Sequence, residues 1–273
     1  VRDMVRRALL PWYNAFSFLR TYTAIDNWSP DKGLHAGDNV LDQWLLSRLQ
    51  TLKSTVATEM EAYRLYNVVP QLFGFIEDLT NWYIRLNRGR FWGEDITPDK
   101  IAAYSTLYDV LLELSKLMAP FAPFLSEHLY QQLETLADRP ASPSSVHLCD
   151  YPLSEADQIR PNLEVAVDRM QQVILLGRQK REEVKIGLRT PLAKLTIIHR
   201  DEDMLQDMRS LEGYLRDELN VMAIDYSTDE AGYIDLQAKP NFPLLGKRLG
   251  KRMKAFAQQI GQLGEDQIAE LQA

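Results

Sequence analysis

Through the first half of the chain, apolar residues recur at intervals of three, four and seven. Leu41, Leu45, Leu49, Leu52, Val56 and Tyr63 form one stripe, the pattern of an amphipathic helix with one face turned to a core. A second stripe runs through Val69, Leu72, Ile76, Leu79, Tyr83 and Leu86. Asn81, Arg85 and Arg88 fall on the face opposite it, with Trp82 on the flank between. The stretch from Ile101 to Met118 is apolar on most sides, through Leu107, Tyr108, Val110, Leu111, Leu112, Leu114 and Leu117. Such a helix belongs at the centre of a bundle. Prolines punctuate the pattern. Pro98 with Asp99 marks the start of the central helix, and Pro120 and Pro123 end it and open another that reaches about Leu136. Pro11 predicts a kink or a split in the first helix. The polar stretch 26–39, containing Pro30, Gly33 and Gly37, reads as a loop that delivers Asn39 as the next N-cap.

Past residue 137 the pattern changes. Residues 138–143 are rich in Pro, Ser and charge, and 154–161 are polar again; between them Val146-His147-Leu148 reads as short and extended. A long helix after Pro161 sets Leu163, Val167, Met170, Ile174 and Gly177 on one face. Three short β-branched or apolar runs follow, 195–198, 221–226 and 233–236, with a helix over 204–219 between the first two. A closing helix aligns Leu249, Met253, Phe256 and Ile260 for burial and Lys247, Lys251 and Lys254 on another face. The expected architecture is mainly α: an antiparallel helix bundle over 1–140, a linker over 141–160, and a small α+β domain with a three-stranded sheet over 161–273.

Composition adds limits. The chain has 273 residues, 45% hydrophobic and 25% charged, enough for one large or two ordinary domains with real cores. Its apolar stretches fall short of a membrane span. Cys149 is the single cysteine, which excludes an internal disulfide and a multi-cysteine zinc site and fits a reducing cytoplasm. The net charge of −7 argues against a polyanionic partner until its distribution is considered. Lys239, Lys247, Arg248, Lys251, Arg252 and Lys254 occur with no acidic residue among them. Between 178 and 200, Arg178, Lys180, Arg181, Lys185, Arg189, Lys194 and Arg200 face only Glu182 and Glu183. Phosphate feels the field within roughly 8–10 Å at physiological salt, not the chain total. Ordinary solvated faces have the same composition.

Catalytic chemistry finds no foothold. His35, His128, His147 and His199 are scattered without the spacing of a metal site. No serine sits in a nucleophile elbow, and Cys149 has no His–Asn constellation around it. Glu77-Asp78 and Asp201-Glu202-Asp203 are explained by helix faces and caps.

The run Asn81-Trp82-Tyr83-Ile84-Arg85-Leu86-Asn87-Arg88-Gly89-Arg90-Phe91-Trp92 combines large aromatics with guanidinium groups. Unpaired bases are read by such groups: the rings stack on a base, and Arg pairs with phosphate or a base edge. A solvated basic face with an interfacial tryptophan has the same spacing. The run resembles the anticodon-binding helix bundle of class I aminoacyl-tRNA synthetases, most closely the isoleucyl branch. Other segments resemble that branch in the same order. They are 1–15, Leu41-Asp42-Gln43-Trp44-Leu45-Leu46-Ser47-Arg48-Leu49, and Met118-Ala119-Pro120-Phe121-Ala122-Pro123-Phe124-Leu125-Ser126-Glu127, the last shared with the valyl and leucyl enzymes. Further along come Val146-His147-Leu148 with Tyr151-Pro152, Gly177-Arg178-Gln179-Lys180-Arg181-Glu182 and Leu188-Arg189-Thr190-Pro191-Leu192. Pro240-Asn241-Phe242 with Leu245-Gly246-Lys247-Arg248-Leu249-Gly250-Lys251 resembles the isoleucyl enzymes specifically.

The resemblance implies a segment that holds the anticodon stem-loop of tRNA(Ile), in a parent that joins isoleucine to that tRNA with ATP and magnesium. The two ATP-handling signatures of the class, of His-Ile-Gly-His and Lys-Met-Ser-Lys-Ser type, do not occur in the chain. The expectation is therefore a piece lying downstream of the catalytic domain, with no cofactor and no catalytic residue of its own, cytoplasmic, monomeric and without a membrane partner. Bases would stack on Trp82 and Trp92, while Arg85, Arg88 and Arg90 donate to base edges and phosphates. Lys180, Arg181, Lys185, Arg189, Lys247, Arg248, Lys251 and Lys254 would hold the backbone by charge. The valyl enzyme is the alternative within the class; a non-catalytic helical scaffold that binds protein is the alternative outside it.

Overall fold

The computed structural model describes residues 2–30, 37–137, 143–230, 238–264 and 267. The chain divides into two compact units, Val1–Gly177 and Arg178–Ala273.

The first unit is helical. An opening turn, Arg2–Met4, runs through a π-helical turn, Val5–Leu9, into α1 (Leu10–Ile25). The expected break at Pro11 is absorbed in that turn. Leu10 N–H reaches back to the Val5 carbonyl, five residues away, so the missing donor of Pro11 falls where the ladder is already re-registered. Next come α2 (Val40–Glu61), α3 (Leu65–Glu77), a π-helical stretch Asp78–Ile84, and the short α4 (Arg88–Trp92). They are followed by α5 (Pro98–Met118) and α6 (Pro123–Leu136). Asn39 caps α2 by accepting from Leu41 N–H, as its position predicts. Thr97 caps α5 at Lys100 N–H, with Pro98 in the first turn. Short turns join α2 to α3 and α5 to α6, which reverses the chain and packs each pair side by side.

Helix α5 is the hub, buried on nearly every side from Ala102 to Met118. Around it lie Trp12, Phe16 and Leu19 of α1 and Leu41, Trp44, Leu45 and Leu49 of α2, while Leu72, Phe75 and Ile76 of α3 pack against α2 and α1 from the far side, all buried. Each such side chain contributes on the order of 1.5–3 kcal/mol relative to exposure. Val146–Leu148 is a single 3-10 turn and not an extended piece. The cause is local: Ser145 Oγ accepts from His147 N–H, while Glu127 of α6 accepts from Ser145 Oγ and Val146 N–H. Downstream, the Ser154 hydroxyl and Glu155 N–H bond to Gln50, and Arg160 N–H bonds to Ser47 Oγ.

The long helix α7 (Pro161–Glu183) follows. In the second unit, β1 (Leu192–Ile198) and β2 (Val221–Ser227) pair in parallel, Leu192 opposite Val221 and Ile198 opposite Ser227. The connection between them carries two helices, α8 (Glu202–Ser210) and α9 (Glu212–Leu219), where one was expected. Leu205 and Met208 of α8, Leu211 at the junction and Leu215 and Leu219 of α9 are buried, as are Ile197, Val221 and Ile224 of the two strands. The expected third strand, 233–236, lies outside the described residues. The closing segment is two helices, α10 (Phe242–Leu249) and α11 (Met253–Ile260), separated by a 3-10 turn at Gly250–Arg252. Gly250 has φ +48° and ψ −122°, a backbone state that only glycine holds without strain. Lys247, Lys251 and Lys254 therefore do not share one face of one helix. Leu249, Met253, Phe256 and Ile260 are half-buried.

Candidate nucleic-acid interface

The aromatic–arginine run divides into an inner and an outer set. The π-helical stretch winds its residues less tightly than an α-helix, and three consecutive side chains, Trp82, Tyr83 and Ile84, turn inward. Trp82 is only 8% exposed; its ring is part of the core and has no open face for a base. Arg90 belongs to the inner set too. Its two terminal nitrogens form a fork on Asp42, at 2.8 Å each. Its Nε and Nη2 reach Asp99 at 2.8 and 2.7 Å, and Nη1 reaches Asn87 Oδ1 at 3.0 Å. Tyr83 Oη also donates to Asp42, at 2.7 Å, and burial beside that carboxylate pushes the phenol far above its ordinary range. A Cβ on Gly37 would lie 2.5 Å from Asp42 Oδ2 and 2.9 Å from Ala102 Cβ, so glycine is required where the loop crosses this ion pair.

Arg85 is half-buried. Arg88 and Trp92 face outward. Trp92 is 56% exposed, and the Arg88 guanidinium stands 5.9 Å from its ring centroid, a cation–π pair at i,i+4 spacing. This pair offers a flat aromatic face and an adjacent cation. Asp42, Asn87 and Asp99 are what the sequence reading missed. One signal was present: Asp42 lies on the same helical stripe as Leu45, Leu49 and Leu52, and a carboxylate on a buried stripe demands a cation.

A second cluster lies in the second unit. Helix α7 ends in a Schellman turn: Ile186 N–H bonds to Arg181 O at 2.9 Å and Lys185 N–H to Glu182 O at 3.0 Å. Lys185 takes the left-handed position, φ +58°. Arg181 is 4% exposed. Its guanidinium donates to the carbonyls of Gly187, Thr190, Leu219 and Asn220, at 3.0, 3.0, 2.7 and 3.2 Å. It is thus consumed within the protein, at the negative end of α9. Lys180, Lys185 and Arg189 are exposed around it, with Lys180 at 2.9 Å from Glu183. Arg178 pairs with Glu218, and Lys194 with Asp225. In the closing segment Arg248 and Lys254 are exposed; the side chains of Lys247 and Lys251 lie outside the described atoms. Among the described residues no group of three or more His, Cys, Asp or Glu stands ready to hold a metal ion, and no helix is long and apolar enough to cross a membrane.

The family described as the anticodon-binding domain of tRNA ligase matches residues 42–197. The chain belongs to this family. Relatives along the whole length are proteins named isoleucine–tRNA ligase. The one from Bdellovibrio bacteriovorus is 44% identical over 273 residues, which is all of this chain and 26% of the relative. The cytoplasmic protein of Mus musculus is 41% identical over 284 residues, again all of this chain and 22% of the relative. That of Saccharomyces cerevisiae is 39% identical over 283 residues, 99% of this chain and 26% of the relative. The chain thus spans about a quarter of the length of these curated relatives. Both the Arg88–Trp92 pair and the Lys180–Arg189 cluster fall inside the anticodon-binding domain match, whereas 239–254 lies beyond it. Two motifs of the domain, 177–182 and 188–192, are joined physically by Arg181, which sits in the first and bonds to the backbone of the second.

Proposed function

We propose that the chain is the tRNA-recognising segment of an isoleucine–tRNA ligase, holding the anticodon stem-loop of tRNA(Ile) while the rest of the parent, in the cytoplasm, joins isoleucine to that tRNA with ATP and magnesium. Membership of the anticodon-binding family carries the reading, and the names of the relatives favour isoleucine over valine. The geometry supports a division of labour. An unpaired base stacks on the exposed face of Trp92, and Arg88 pairs with phosphate or a base edge. Lys180, Lys185, Arg189, Arg248 and Lys254 attract the backbone without reading sequence, and half-buried Arg85 precedes α4 by three residues. Trp82, Arg90 and Arg181 serve the fold that presents these groups.

Filter binding of the purified chain to tRNA(Ile), tRNA(Val) and the isolated anticodon stem-loop tests the proposal. Preference for tRNA(Ile), retained by its stem-loop, is expected, with no isoleucine-dependent ATP–pyrophosphate exchange. Equal affinity for the two tRNAs would overturn the isoleucine assignment; no salt-dependent binding to either would favour a protein-binding scaffold.

A further inference from the structure

We infer that the turn 184–190 is a preorganised phosphate-binding edge and that Arg181 is its positioning residue, not one of its contacts; this rests on the tRNA-binding reading above. An exposed turn ordinarily leaves its carbonyls to water. Here three carbonyls of the stretch 187–190 are taken up from within. Arg181 holds those of Gly187 and Thr190, and Asn220 Nδ2 holds that of Leu188 at 2.9 Å. Thr190 N–H closes onto Gly187 O at 3.0 Å, and Leu192 N–H onto Asn220 O at 3.0 Å. The turn is thereby tied to the end of α7, to the end of α9 and to the start of β1.

The clamp immobilises backbone whose side chains point to solvent. Lys185 precedes the clamped stretch and Arg189 sits within it, both exposed, and Lys180 is exposed on the helix end beside them. Of the two acids nearby, Glu183 already accepts from Lys180 and Gln179. Fixing cations before the ligand arrives removes an ordering cost that a flexible loop meets on binding. Burying a guanidinium is expensive unless it is hydrogen-bonded, and Nη1 and Nη2 of Arg181 donate to four carbonyls. The ligand chemistry this edge fits is a phosphodiester backbone, held by charge and indifferent to base identity.

The test is tRNA binding by the 273-residue chain as a function of salt. Lys185→Gln with Arg189→Gln should leave melting unchanged and lower the log–log salt slope by about 0.7–0.9 per lost contact. Arg181→Lys keeps the charge but loses the fork, so it should lower the slope by a similar amount. Added to the double variant, it should cause little further loss, because the groups it positions are gone. Asn220→Gly, which keeps the left-handed backbone at that residue (φ +48°) and removes only the amide strut, should act in the same direction without a charge change, and stands in if Arg181→Lys does not fold. Additive losses from Arg181→Lys and the double variant would make Arg181 a contact and overturn the inference. An unchanged slope in the double variant would overturn the phosphate edge itself. If the parent chain binds no tRNA at low salt, the tRNA reading fails first, and the inference with it.

Discussion

Trp82 and Trp92 lie on one run, yet they answer to different measurements. Trp82→Ala removes a core ring and should cost about 3–5 kcal/mol of folding stability, read by urea unfolding. Trp92→Ala should leave stability nearly unchanged and weaken tRNA binding by about 1–3 kcal/mol, the range for a lost base stack. A normal affinity in the Trp92 variant would refute the stacking role. Asp42 predicts a third behaviour. It is the buried acceptor for both Arg90 and Tyr83, so Asp42→Ala strands a guanidinium and should destabilise by about 3–5 kcal/mol. Any effect on tRNA should follow from a loosened α4, with both Arg88 and Trp92 intact in sequence. A variant as stable as the parent would show that Asp99 and Asn87 suffice for Arg90.

At the level of elements, the regular helices were legible and their interruptions were not. The stripes through Leu41–Val56 and Leu72–Tyr83, the cap at Asn39, and the prolines at 98 and 123 all lie where local chemistry places them. A fixed 3.6-residue period cannot foresee the π-helical stretch Asp78–Ile84; it leaves Trp82 on a flank, whereas the wider winding carries it inside. The same blindness merged α8 with α9 and α10 with α11, although Gly250 carried a visible signal. Arg88 and Trp92 were legible as candidates because i,i+4 spacing survives in a single turn. Arg90 and Arg181 were not legible as internal ties, since their partners are remote in sequence or are bare carbonyls. The helix end at Lys185 yields a prediction. A non-glycine residue in the left-handed region is disfavoured by roughly 1–2 kcal/mol, partly offset by the unfolded-state entropy of glycine. Lys185→Gly should therefore raise stability by about 0.5–1 kcal/mol, as read by thermal melting, while removing one cation from the edge.

For the molecule as a whole, a net charge of −7 and a polyanionic ligand are compatible because phosphate feels the local field and not the chain total, and away from the exposed cations many charges of both signs are paired with each other. Asp42 and Asp99 hold Arg90, Asp78 and Glu164 hold Arg48, Asp26 holds Lys100, and Glu113 holds Lys53 and Lys116. Three carboxyls, Asp78, Asp109 and Asp168, shape the pH response. Burial raises Asp78 to about 6, outweighing the attraction of Arg48. Burial also raises Asp109 to about 6, with the Glu113 charge adding to it, and pushes Asp168 upward. A carboxyl with a raised pKa binds its proton in the folded state where the unfolded chain has already released it. Its stabilising contribution is complete below about pH 4 and is lost as pH rises through about 6. For Asp78 the change is on the order of 2–3 kcal/mol. The parent should thus lose stability between pH 4.5 and 7 in urea unfolding. Asp78→Asn, which still accepts a hydrogen bond from Arg48 but carries no charge to bury, should flatten much of that slope. A parent profile that rises over this interval, or an Asn variant with an undiminished slope, would show that Arg48 keeps Asp78 ionised in the fold throughout.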